Sequence, residues 1–247
     1  MPGGMVCRTY DVLISDGQRV VVKRCPFAAA TEAEDLTALA KAGVAVPAVL
    51  GAAGRTLVLE RVSGTPDWPE LARGVAGMHR VVGPAYGWPH DNHAGRFVQS
   101  NGWLESWPEF YAERRVRTHL ADPAVPAALG RRLDRACDGP LQDLLPMRPA
   151  ASLTHGDLWA GNVVAGRWLV DPEPSHADRE LDLAYMHMSQ SLPTQFWGTY
   201  FEAYPLADGF ERRRSALQLH HLLLQVRHFG PARYEARIEA VLNEYGW

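Results

Sequence analysis

Between Leu153 and Pro174 the chain reads LTHGDLWAGNVVAGRWLVDPEP, which sets Asp157 five residues before Asn162 and 14 before Asp171. An amide oxygen and a carboxylate are hard oxygen donors of the kind magnesium prefers. A second carboxylate that holds no metal can orient an alcohol and take its proton. Asp157 is therefore the candidate base, and Asn162 and Asp171 are the candidate metal ligands. The order D-L-x-x-x-N is that of a kinase catalytic loop, with His155-Gly156 in place of the usual His-Arg. The plainer alternative is a polar turn followed by an aspartate that ends a strand.

Phosphoryl transfer from ATP also needs a cation on the phosphates and mobile backbone above them. Lys23, at the end of VVVKR, can supply the cation if an acid on the next helix holds it. Glu32, Glu34 and Asp35 all lie there. Glu32, four residues before Leu36, is the expected partner and Glu34 the alternative, although a first-turn glutamate also simply suits a helix N-terminus. Gly3 and Gly4 stand just before the first strand, where a glycine loop would cover ATP, or where a terminus frays. Leu59-Glu60-Arg61-Val62 reads as a hinge, with backbone groups of Glu60 and Val62 offered to adenine.

The elements that must position these groups are legible from periodicity. CRTYDVLI and RVVVKRC, split by Ser15-Asp16-Gly17, predict a β-hairpin. A helix follows, capped by Thr31 and ended by Gly43. VPAVLG and RTLVLERV return to strand character, and the polar SGTPDWPE marks a boundary near Ser63. Five later segments carry apolar residues at helical intervals: PELARGVAGMHRV, SWPEFYAERRVRTHL, AVPAALGRRLDRAC, RELDLAYMHMSQ and FERRRSALQLHHLLLQVRHF. Short strand-like runs surround the candidate catalytic loop, with Ala165-Gly166 as a turn. The expected class is α+β, a two-lobed protein-kinase-like fold. Residues 1–62 form a small β-rich ATP-binding lobe with its hinge, and residues 63–247 a larger, mainly helical lobe with the catalytic loop and acceptor site.

The 247 residues are 47% hydrophobic and 21% charged, which suits one substantial core or two small lobes. A net charge of −3 gives no footprint for nucleic acid or an anionic membrane. Three widely spaced cysteines, Cys7, Cys25 and Cys137, argue against a disulfide framework and for a reducing cytoplasm. The N-terminus has no secretion pattern, and no run reaches the ~20 apolar residues of a membrane span.

HGDLWAGN followed by DPEPSHADRELDLA resembles the fructosamine kinase, or ketosamine 3-kinase, family within the aminoglycoside-phosphotransferase-like branch of the protein-kinase fold. GWPHDNHAGRFVQSNGWLESWPEFYAERRV resembles that family's D-N-x-x-G-x-x-x-Q-x-N insert. The likeness runs from Gly3 to the last helices. It implies Asp157 as base, Asn162 and Asp171 as magnesium ligands and Lys23 on the phosphates, with Asp182 and His155 supporting the catalytic loop. It also implies Asp91 and Asn92 at the acceptor. The implied reaction converts ATP and a ketosamine to ADP and ketosamine 3-phosphate and so assists deglycation. The expected partner is a small glycated amine, with no nucleic acid and no membrane, and the chain is a monomer or weak homodimer. Two departures stand out. The chain starts almost on the glycine loop, without the segment members usually carry before it, and Asp171-Pro172-Glu173-Pro174 replaces the usual Asp-Pro-Ala.

Other residues have plainer readings beside their chemical ones. Trp159 stands between base and ligand, where its ring can stack on a sugar or its amine substituent, or pack on the large lobe. His90 and His93 lack further metal ligands at recognisable spacing and suit a polar loop near the acceptor. His220 and His221 fit an apolar helix as structural histidines. Trp107, Phe110 and Tyr111 fit a core, with Arg114 or Arg115 toward the cleft. Cys7, beside the glycine loop, is open to an oxidation that would block ATP or link two chains. The rival functions are a kinase for an aminoglycoside, amino sugar or amino alcohol on the same fold, and an inactive nucleotide-binding scaffold.

Overall fold

The computed structural model describes residues 6–189 and 192–247. Gly3 and Gly4, the expected glycine loop, lie outside them. The first unit is a four-stranded antiparallel sheet made of β1 (Arg8–Leu13), β2 (Arg19–Arg24), β3 (Val49–Ala53) and β4 (Thr56–Glu60), in the order β1-β2-β4-β3. Helix α1 (Ala29–Lys41) packs on it through Leu36 and Leu39. Alternation in β2 turns Val21 and Lys23 to one face, so a lysine at strand spacing from an apolar residue reaches the interior.

Past Glu60 the chain runs extended to α2 (Trp68–Met78), which the Asp67 side chain caps by accepting from the Glu70 N–H at 3.0 Å. A short hairpin follows, β5 (Asn92–Ala94) and β6 (Phe97–Gln99). One continuous helical run then comprises α3 (Trp107–Phe110), a π-helical turn over Tyr111–Arg117, and α4 (Thr118–Leu120). Helices α5 (Ala127–Cys137) and α6 (Pro140–Leu144) lead to β7 (Ser152–Thr154). The segment after β7 carries β8 (Val163–Val164) and β9 (Trp168–Leu169), and β10 (Ser175–Ala177) returns to pair with β7. The chain closes with α7 (Glu180–Met188), α8 (Thr194–Ala203), α9 (Phe210–Leu217), α10 (Leu219–Phe229) and α11 (Glu235–Tyr245). Trp107, Phe110 and Tyr111 are fully buried beside Leu133, Phe196 and Tyr200, as their spacing predicts.

The structure corrects three expectations. Helix α1 starts at Ala29 with Ala28 at its N-cap, so Thr31 lies in the first turn and caps nothing. The long segment from Phe210 to Phe229 is two helices broken at Gln218. Cys7 and Cys25 form a disulfide, leaving Cys137 as a buried free thiol. Eighteen residues separate the pair in sequence, but β1 and β2 run antiparallel and bring the two ends of the hairpin together. Among the described residues no helix is long and apolar enough to cross a membrane.

Candidate active site

Asn162 and Asp171 belong to the two open ends of one ribbon. Val163 pairs with Leu169 and Val164 with Trp168, and the Val170 N–H donates to the Asn162 carbonyl at 3.0 Å. The ribbon closes through the three residues Ala165, Gly166 and Arg167, with Ala165 and Gly166 at φ 51° and 59° and the Arg167 N–H donating to the Val164 carbonyl at 3.1 Å. The eight residues between the two candidate ligands in sequence are thus folded out of the way.

Asp157 precedes the ribbon. The Asn162 Nδ2 donates to the Asp157 Oδ2 at 2.6 Å and to the Asp157 carbonyl at 2.9 Å. That orientation turns the Asn162 Oδ1 away from Asp157, and no hydrogen bond to it exists among the described residues. Burial pushes the Asp157 carboxyl up to about 7, against the opposing hydrogen bonds from Asn162 and Tyr185.

The loop before Asp157 is held from below. The Asp182 Oδ2 accepts from the His155 N–H at 2.7 Å and its Oδ1 from the Gly156 N–H at 2.9 Å. His79 lies 3.1 Å from the same carboxylate, and its other ring nitrogen 2.7 Å from the Tyr200 hydroxyl. Burial alone would raise the Asp182 pKa, but the His79 hydrogen bond and its neighbours outweigh it and the net shift is downward. Gly156 has φ +85°, and a Cβ there would overlap the Glu173 carbonyl oxygen, so only glycine fits. His155 is fully buried, and its Nδ1 accepts from the Asp157 N–H at 3.3 Å. Burial lowers its pKa, which keeps it the neutral acceptor this bond needs.

Lys23 bridges the lobes. Its Nζ pairs with Glu32 and, at 2.6 Å, with the Asp171 Oδ1. The choice between Glu32 and Glu34 is decided by helix phase: the Glu32 side chain is 9% exposed, whereas that of Glu34 is 67% exposed and faces outward. Desolvation alone would lower the Lys23 pKa, but the two carboxylates outweigh it and hold the ammonium charged.

Lys23, Glu32, Asp157, Asn162 and Asp171 line one open cavity of about 990 Å³, together with Val21, Pro47, Leu59, Glu60 and Val62. Trp159 lines it too, its ring folded over Gly161. Asp91 and Asn92 do not. The Asp91 carboxylate accepts from the Asn101 N–H at 2.8 Å, and Asn92, fully buried, donates to the Pro174 carbonyl at 3.0 Å. Gln99, Asn101 and Arg115 complete that network, and Arg115 is buried away from the cleft. The insert motif builds the β5–β6 hairpin and clamps it to the segment after Asp171; what reaches the cavity is its far end, His93 and Gly95.

Sequence reasoning missed the inner wall from the last helices. His221 and Tyr185 stack at 3.8 Å between ring centroids, and the His221 Nε2 bonds the Gly156 carbonyl at 2.8 Å. Tyr185 and Gln225 line the cavity with Asp157, and burial together with the Asp157 carboxylate holds the Tyr185 hydroxyl pKa above its ordinary range. His220 is structural, between His119 and the Arg115 carbonyl, whereas its neighbour faces the site. Glu173 is a further buried acid on this wall; its backbone N–H donates to the His155 carbonyl at 2.8 Å and its Oε1 accepts from the Gly95 N–H at 2.7 Å. No linear motif marks these positions; a polar residue on an otherwise apolar helix face was the one available signal.

Residues 1–245 match the profile of the fructosamine kinase family. The chain belongs to that family. It is 34% identical over 237 residues to a "probable ketoamine kinase" of Thermus thermophilus, covering 92% of this chain and 86% of the relative. A "probable ketoamine kinase" of Synechocystis is 30% identical over 202 residues, 75% of this chain, and the chain spans 65% of that relative's length. Among solved structures, a "putative fructosamine-3-kinase" of Thermobifida fusca superposes with a TM-score of 0.87 at 30% identity, covering all of this chain and 92% of that one. An aminoglycoside phosphotransferase bound to ADP and hygromycin B aligns at a TM-score of 0.64 and 16% identity, which supports the protein-kinase-like fold alone.

Proposed function

We propose that the chain is a magnesium- and ATP-dependent kinase that phosphorylates a sugar hydroxyl of ketosamines and so assists their deglycation. Residues 1–62 act as the nucleotide lobe and residues 63–247 carry the acceptor site. The observation that carries this reading is the Asp157 carboxylate, half-buried on the cavity wall and oriented by the Asn162 amide, with Lys23 and Asp171 paired in the same cavity.

The apolar side chains of Val21, Leu59 and Val62 suit an adenine face, and the backbone of Glu60 and Val62 its edge. Lys23, kept charged and fixed by Glu32, sits where α- and β-phosphates need a cation. Asn162 Oδ1 and the Asp171 carboxylate fit a magnesium ion, since both are oxygen donors on one ribbon and the asparagine oxygen has no hydrogen-bond partner among the described residues. Magnesium, when bound, neutralises phosphate charge and aligns the γ-phosphoryl group. The acceptor hydroxyl hydrogen-bonds to Asp157 and gives it its proton as the new O–P bond forms and the bond to ADP breaks. Asp182 and His155 hold the loop backbone that fixes Asp157. Trp159 offers its ring to the sugar or its amine substituent.

The test is magnesium-dependent ADP release with a simple ketosamine, beside an aminoglycoside, choline and a no-acceptor control. Stimulation by the ketosamine alone supports the reading. Release with another acceptor would replace the substrate, and tight ATP binding without release under any condition would favour the scaffold.

A further inference from the structure

His221, Gln225, Phe229, Arg233 and Arg237 all line the cavity, at four-residue intervals. The first three form one stripe of α10, since four residues are just over one helical turn. The stripe starts beside the base, where His221 bonds the Gly156 carbonyl. At about 1.5 Å per residue, Phe229 stands roughly 12 Å further along the helix axis. The chain then turns at Gly230, φ +84°, through a short turn at Pro231–Arg233 into α11. Arg233 and Arg237 follow Phe229 in the chain and are exposed where they line the cavity, at its rim.

Charge is unevenly divided along this path. The acids on the cavity wall, Glu32, Asp35, Glu60, Asp157, Asp171 and Glu173, belong to the small lobe, the hinge and the catalytic segment. Three long cationic side chains line the cavity, and Lys23 is already held by Glu32 and Asp171. Arg233 and Arg237 have no carboxylate at ion-pair distance among the described residues. The other residues of this part of the chain that line the cavity, His228, Phe229 and Tyr234, carry no carboxylate.

We propose that Arg233 and Arg237 form an anion subsite, which selects acceptors bearing a carboxylate on the amine side of the ketosamine, roughly 12 Å or more from the hydroxyl that is phosphorylated. The proposal rests on the ketosamine reading and narrows its substrate class. A sugar carried on the ε-amine of a lysine with a free carboxylate fits. Fully extended it spans about 14 Å from the sugar O3 to a carboxylate oxygen, at roughly 1.25 Å of advance per ~1.5 Å bond. The same sugar on the α-amine of glycine spans only about 9 Å on that scale and falls short. Guanidinium groups bind carboxylates through paired N–H donors, and two cations at the entrance repel a polycation such as an aminoglycoside.

The experiment compares kcat/KM, by ADP release, for Nα-acetyl-Nε-fructosyl-lysine and its C-terminal carboxamide, which differ in one charge at the far end. The wild type is expected to favour the carboxylate by about five- to tenfold, a preference that 0.5 M salt compresses. In the double variant Arg233→Gln/Arg237→Gln the ratio should fall to near one. Equal kcat/KM for the two compounds in the wild type would overturn the subsite, as would a preference that survives both substitutions. If the variant does not fold, the salt series on the wild type decides in its place, a salt-insensitive ratio counting against the arginines. Phosphorylation of neither compound despite nucleotide binding would instead fell the ketosamine reading, and the subsite with it.

Discussion

The Asn162 amide nitrogen lies 2.6 Å from the Asp157 carboxylate, so one side chain both orients the candidate base and turns its own oxygen away from it. Replacing Asp157 by Asn removes the proton acceptor while leaving volume and burial nearly unchanged. Turnover should fall by about a hundredfold or more while ATP affinity, read by calorimetry, stays within a few-fold. Near-normal turnover would remove the base assignment.

Asp171 is expected to behave differently. It contributes one carboxylate to Lys23 and, in the proposed function, one to magnesium. Asp171→Ala should weaken magnesium-nucleotide binding itself, shifting the magnesium dependence of ADP release to higher concentration. A variant with unaltered magnesium dependence but reduced turnover would assign Asp171 another role.

Asp182 touches nothing in the cavity, yet both its oxygens hold backbone N–H groups of the loop. Asp182→Ala leaves the His155 and Gly156 amides and His79 without their partner in a fully buried place. The expected cost is about 3 kcal/mol or more of stability, from buried donors left unsatisfied, together with a loss of turnover. Denaturant unfolding of the variant checks it; an unchanged midpoint would mean the loop holds itself.

Asp35 gives a pH signature. Burial above all pushes its carboxyl up to about 8, against a hydrogen bond from the Trp88 Nε1 at 3.1 Å. The folded chain thus binds this proton more tightly than the unfolded chain, whose carboxyl titrates near 3.8. The contribution is fully present below about pH 4 and is lost progressively as pH rises through about 8, on the order of a few kcal/mol. Asp35→Asn should therefore gain relative stability at pH 8.5 over pH 5. Parallel wild-type and variant stabilities across that range would contradict the shift.

Pairing of Cys7 with Cys25 has a simple readout. The chain denatured without reductant should release one titratable thiol, from Cys137, and three after reduction. Closing a loop of this size contributes about 3 kcal/mol, so reduction should also lower the melting temperature. Three thiols before reduction would show the pair open.

The sequence by itself determined the family, the fold class and the local spacing of the candidate residues. Asp157, Asn162 and Asp171 sit on a local ribbon whose turn residues and strand spacing are read within twenty residues, and the Lys23 strand and α1 are equally local. Alternation and helical periodicity report on backbone neighbours, which is why these elements were legible. What depended on long-range packing was not. Helix phase against β2 chose Glu32 over Glu34. The antiparallel hairpin joined two cysteines that spacing had kept apart. The Asp91 to Asn101 motif was visible, but only its network to Pro174 showed that it builds a clamp and presents His93 and Gly95. The wall of Tyr185, His221, Gln225 and the two arginines comes from helices that look merely amphipathic in sequence, because a helix face acquires its meaning only from what is packed opposite it.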